Sequence, residues 1–212
     1  VSSSLTESSL VVGIFAILIS LMPKLICDGL AISKKMECFQ GLKDLGQASF
    51  QFAYDHDDQL PHEDFSSTQG PCWYDAVNRH LKKQPIYLSK QDPSLRYLHH
   101  ENSVDSGFSY KMNSRLEGYK GSNQESSPDL RSINSISHPK ETVLYFDGDI
   151  STEYWINKPY GMYKQVSNRH SNRANLFLMD GSLTSSSGNS LHDVWLESGG
   201  FRWDPDSPAH LQ

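Results

Sequence analysis

The side chains with the means to do chemistry gather late in this 212-residue chain. Asp147 and Asp149 stand in FDGD, and His170 is followed after nine intervening residues by Asp180-Gly181. Carboxylates backed by carbonyl oxygens are hard ligands suited to calcium rather than zinc. Asp147, Asp149 and Asp180 are therefore the candidate ligands of a structural calcium ion. With His170 they form the one convergent-looking set from which a metal-dependent hydrolase could be built, since that chemistry needs a nucleophile–base pair or a metal trio in one pocket. Structural readings weigh more heavily. Asp180 precedes Gly181 between β-type runs, and turn duty alone explains it. A histidine ten residues before a hairpin turn can reach back along its strand as a polar anchor, the favoured role for His170. Asp55, Asp57 and Asp58 read as a solvated turn, because an EF-hand needs Gly and Glu where Leu60 and Ser66 stand. His99-His100 has no third ligand nearby. No catalytic or cofactor-binding residue is assigned on this reading.

The cysteines are Cys27, Cys38 and Cys72, with no C-x-x-C pair, so a zinc ribbon or thioredoxin-like site is excluded. Cys27 closes an apolar run, which leaves Cys38 and Cys72 as a candidate disulfide. In an oxidising compartment that crosslink would contribute roughly 3–4 kcal/mol; two buried thiols are the equal alternative. The net charge is −6 with Lys and Arg scattered, so no basic face is available for nucleic acid.

The elements that must position these residues begin with an uncharged run, Ser8 to Pro23, between Glu7 and Lys24. Those sixteen residues rise about 24 Å as a helix, short of a hydrocarbon layer of roughly 30 Å. From Leu5 to Ile26 the 22 residues rise about 33 Å, a span if Lys24 snorkels outward. Pro23 predicts a bend or a local stop. A cleaved signal peptide would want basic residues before the run and small residues after it, and neither flanks it; a buried core helix is the plainest rival. Glu7 is either an ionisable residue with a task at a membrane segment or a carboxylate near a helix start capped by Ser3, Ser4 or Thr6.

Beyond the run, Cys38, Phe39, Leu42, Leu45, Gly46, Ser49, Phe50 and Ala53 fall on one helical face, with Lys35, Glu37, Gln40, Lys43, Asp44, Gln47 and Gln51 opposite. This helix should pack on a sheet and end within Tyr54–Pro61. A short second helix is expected over 72–83 with Trp73, Val77 and Leu81 inward, followed by irregular chain over 84–106 and a surface loop over 113–135. Thr142–Phe146 and Ala174–Met179 read as strands, each leading to an Asp-Gly hairpin signal. Trp195 and Trp203 lie in a closing tail. Trp155, Tyr160 and Tyr163 would suit a glycan-binding loop platform, or else pack beneath a long loop. The expected class is α+β, a long N-terminal helix on an antiparallel sheet. Residues 1–27 would be the anchor, 28–57 its amphipathic continuation, and 58–212 the main domain.

Thr6-Glu7 followed by SSLVVGIFAILISLMP resembles the N-terminus of type IV prepilins and type II secretion pseudopilins. Glu7 matches the glutamate of that family, while Ser2 and Ser3 fall where its Gly and Phe flank the cleavage point. Four further blocks, in order, resemble a prepilin-like family of environmental bacteria: ECFQGLKDLGQASFQFAYDHDDQLP, SYKMNSRLEGY, ISHPKETVLYFDGD and RHSNRANLFLMDG. Its usual His after Asp-Gly is Ser182 here. The resemblance implies a structural subunit, not an enzyme, held by a single pass in the cytoplasmic (inner) membrane with its C-terminal domain in the periplasm or at the cell surface. It implies cleavage between Ser2 and Ser3, methylation of the new N-terminus, and assembly with other pilin-like subunits in which Glu7 neutralises a neighbour's terminal amine. Some pseudopilins hold a structural calcium, and no other cofactor is implied. An anchored binding module is the alternative.

Overall fold

The computed structural model describes residues 2–61, 73–81, 108–116, 131–149, 160–161, 165–167, 169–170, 172–187 and 201–203, with the backbone alone for 2–8, 75 and 78. Cys72, His99-His100, Trp155, Tyr163, Trp195 and the segment 84–106 lie outside the described residues.

One helix, α1, runs Ser2–Asp55. Pro23 lies inside it and does not end it. The ring removes one backbone N–H bond, but Leu, Ile and Met on both sides favour the helix and carry it past that local loss. The chain divides into two compact units, Val1–Glu37 and Cys38–Gln212. In the first, the described side chains are almost all exposed.

In the second unit the expected stripe is the buried one. Cys38, Leu42, Leu45, Ser49 and Ala53 are fully buried, joined by Ala48 and Phe52, while Gln40, Lys43, Gln47 and Gln51 face solvent. The helix ends where YDHDDQ turns: Asp57 and Asp58 both take positive φ, and Asp58 N–H donates to Ala53 O at 2.8 Å. Helix α2 covers Trp73–Asn78, with Trp73 and Val77 buried and Leu81 packed against the core as its spacing predicts.

Strands β1 (Tyr110–Asn113), β2 (Val143–Asp147), β3 (Tyr160–Gly161), β4 (Arg173–Leu178) and β5 (Leu183–Ser187) form one sheet in the order β3-β1-β2-β4-β5. The protein is α+β as expected, but the sheet is mixed. β1–β2, β2–β4 and β4–β5 are antiparallel, whereas β3 joins β1 in parallel, pairing Met112 with Tyr160. Strand β1 lies in a stretch given no element from the sequence and meets the expected surface loop only at Asn113, and all four of its residues are buried. Asn113 holds it in place by donating to Val143 O at 2.8 Å and Trp203 O at 2.9 Å, and its Oδ1 accepts from Arg115 N–H at 3.0 Å.

A register shift between Val143 and Tyr145 puts Leu144 and Tyr145 in the same core cluster. That cluster joins the helix stripe, Trp73, Phe108, Met112 and Phe177; Val143, Phe146, Leu176 and Trp203 form a second cluster. Ser49 and Tyr145 join helix to sheet through a 2.8 Å hydrogen bond between their hydroxyls.

The two Asp-Gly pairs part company. Asp180-Gly181 turns β4 into β5, with Gly181 at φ 84° and Asp180 Oδ1 accepting from Ser182 N–H at 2.9 Å. Asp147-Gly148 makes no hairpin. The chain runs on extended: Gly148 N–H donates to Ser109 O, Asp149 N–H to Gln165 O, and Ser167 N–H to Asp147 O. Glycine is needed at 148 for space, since a Cβ there would lie 2.4 Å from Lys111 Cγ.

Candidate functional site

Two features have no explanation in packing alone. The first is the front of α1. Its large apolar side chains from Leu10 to Met36 are exposed, Leu10 at 67 % and Phe15 at 60 %, and the helix is long and apolar enough to cross a membrane. A signal sequence passes the same test of length and composition. Exposed apolar area on this scale marks an interaction surface in water. Ser2, Ser3 and Glu7 lie on the α1 backbone.

The second feature is a polar cluster inside the second unit, built at the end of β2. Asp147 is completely buried, and its Oδ2 accepts from Asn175 N–H at 2.9 Å. Arg169 Nη2 lies 3.3 Å from Asp147 Oδ1 and also donates to Ser109 O. His170 Nε2 is 3.3 Å from Asp147 Oδ2. Cys38 brings its thiol from α1, and one ligand atom each of Cys38, Asp147 and His170 lie within 4.8 Å of one another. His170 is aimed by a tight loop. His170 and Arg173 exchange both backbone N–H bonds at 3.1 Å, and Asn172 between them takes φ 65°, a conformation asparagine tolerates better than most residues.

Burial alone would lower the His170 pKa, but the close approach of Asp147 and Cys38 and the negative charge of Asp147 outweigh it and raise it to about 9. With no ion present the Asp147 carboxylate favours the protonated imidazole; a metal ion taking Nε2 would have to displace that proton. Nearby, burial pushes the Tyr145 hydroxyl far above its ordinary pKa, with the Ser49 bond opposing in part.

The proposed calcium ligands do not come together. Asp147 and Asn175 face each other across β2 and β4, the pair next to Phe146 and Leu176. Asp180 sits five residues past Asn175, roughly 16 Å away by strand rise, exposed in its own turn. Asp149 is exposed as well. His170 and Asp147 do meet, with Nε2 3.3 Å from Oδ2. Gly181 shapes its turn, while Tyr160 belongs to β3 rather than to a loop. Cys38 is a buried thiol, and its candidate partner Cys72 is among the undescribed residues. Sequence reasoning missed Arg169, Asn175 and the meeting of Cys38 with His170. Asn175 alternates with Ala174 and Leu176 on β4, and that alternation was the available signal that it faces the helix side with Phe177.

Comparison with known proteins finds no matching family model, no similar curated protein and no similar solved structure. What stands is a class defined by architecture. A long N-terminal apolar helix is followed by a five-stranded sheet, an arrangement consistent with a pilin-like protein.

Proposed function

We propose that this chain is a pilin-like structural subunit. It is anchored in the cytoplasmic membrane by the front of α1, with the C-terminal unit on the far side, and it joins other pilin-like subunits through its helix in a type II secretion or type IV pilus-like assembly. The observation that carries this reading is the division of labour along one unbroken helix. The front presents apolar side chains that are exposed among the described residues, and the stripe from Cys38 onward is buried in the core. Such a helix can sit in lipid before assembly and exchange lipid for neighbouring helices afterwards, with the globular unit unchanged. Glu7 supplies the specificity. A carboxylate beside an apolar segment is costly unless paired, and the N-terminal amine of an adjacent subunit, exposed by cleavage before Ser3, is the partner the resemblance implies. No bond is made or broken by the subunit.

Glu7→Ala should leave membrane-inserted monomer at wild-type levels. It should lower cross-linked multimers at least tenfold, the effect of about 1.4 kcal/mol, well within the 3–5 kcal/mol of a broken buried charge pair. Glu7→Ala chains that cross-link as well as wild type would end the proposed role of that carboxylate.

A further inference from the structure

We propose that Cys38, Asp147 and His170 form a divalent-metal site of the zinc class, a structural site that ties α1 to the sheet. Three ligand types converge: a thiolate, an imidazole and a carboxylate oxygen, the set zinc takes in proteins. All three residues are buried, and their ligand atoms lie within 4.8 Å of one another. One of these spacings is already what a metal demands. Two ligands at about 2.0–2.1 Å in tetrahedral geometry lie about 3.3 Å apart, and His170 Nε2 to Asp147 Oδ2 is 3.3 Å. That contact is not a hydrogen bond, because Nε2 has no hydrogen-bond partner among the described residues. The two atoms have the separation of ligands sharing a cation without the direction of a bond to each other.

Asn175 supplies a second, independent observation. Its side chain is fully buried, and neither Oδ1 nor Nδ2 has a hydrogen-bond partner among the described residues. Leaving buried polar groups unmet costs about 1–3 kcal/mol each, so something polar should answer them. Asn175 stands opposite Asp147 across the β2–β4 pair, on the face it shares with Phe177. Its Oδ1, or a water held by the amide, would be the fourth ligand. The carboxylate is held on its other side as well: Arg169 lies 3.3 Å from Oδ1, and Asn175 N–H donates to Oδ2 at 2.9 Å. Such outer contacts orient a metal-bound carboxylate. Complete burial of Cys38 and Asp147 makes the site structural rather than catalytic. The assignment does not depend on assembly into a filament.

The test uses tag-free full-length protein in detergent, stripped with chelator and re-equilibrated with zinc chloride or cobalt chloride. Wild type should retain one zinc per chain after gel filtration and melt at a higher temperature with zinc than without. Its cobalt form should show tetrahedral ligand-field bands and a thiolate-to-cobalt charge-transfer band. Cys38→Ser and His170→Gln, each checked for a native circular dichroism spectrum, should lose the bound zinc, and Cys38→Ser should lose the charge-transfer band. Cys27→Ala should change none of these readings. If folded wild type retains no more zinc than Cys38→Ser, or its cobalt form lacks the thiolate band, the site does not exist. The wild-type readings decide the matter even if a variant fails to fold.

Discussion

Asp147→Ala should destabilise the C-terminal unit by about 3–5 kcal/mol, enough to unfold a domain of ordinary stability. The carboxylate is fully buried and faces the Arg169 guanidinium and the His170 imidazole, while its Oδ2 also satisfies the Asn175 N–H. Removing one partner of a buried charge cluster does more damage than the cluster's net contribution, because the cation left behind loses its compensation in a medium that hydrates it poorly. Asp147→Asn keeps an acceptor for the Asn175 N–H and should cost less than Asp147→Ala. Asp149→Ala, at an exposed position two residues on, should stay within about 0.5 kcal/mol of wild type. Urea unfolding of the detergent-solubilised chain, read by the fluorescence of buried Trp73 and Trp203, would rank the three. A midpoint for Asp147→Ala equal to that of Asp149→Ala would refute the cluster's structural role.

Gly46→Val should cost about 3 kcal/mol in the same measurement, against the direction set by helix propensity. Glycine in a helix interior is normally about 1 kcal/mol worse than alanine, so a side chain at an open helical glycine would stabilise. Gly46 is not open. A Cβ there would lie 2.0 Å from Phe177 Cε1 and 2.2 Å from Cζ, and the Phe177 ring is itself held, 1 % exposed, with its centroid 5.8 Å from that of Phe50. Overpacking of this kind usually costs 1–3 kcal/mol, and a β-branched chain brings two further methyls into the same space. The double variant Gly46→Val with Phe177→Leu should recover part of the loss, as expected of residues in direct contact. Additive effects would show that helix and sheet do not meet at this point.

The packed half of α1 was legible because its period matches its burial: residues chosen for the inward face from Cys38 to Ala53 are the buried or half-buried ones. Strands β2 and β4 were legible as runs of β-type residues, and Gly181 as the turn after β4. Strand β1 was not, since YKMN is buried at every position and offers no alternation to read. Its neighbours in sequence are Ser, Asn and Gly, which read as loop. The parallel β3–β1 pair joins Met112 to Tyr160, residues far apart in sequence, which local pattern does not encode. Asp147 was misread for a physical reason. Asp-Gly after a strand fits a hairpin, and only the packing of the Lys111 stem against Gly148 shows that glycine is there for closeness, not for positive φ. The cluster was hidden because its members come from a helix, a strand end and a loop far apart in sequence, and only the fold brings them together.

The reading as a pilin-like subunit turns on the fate of the apolar front of α1. N-terminal sequencing and intact-mass analysis of the membrane-extracted protein test it most directly. The account predicts a membrane-bound chain that begins at Ser3 with a methylated N-terminus and retains the whole apolar run. A soluble chain that begins beyond Ile26, its apolar run removed as a signal sequence, would contradict it.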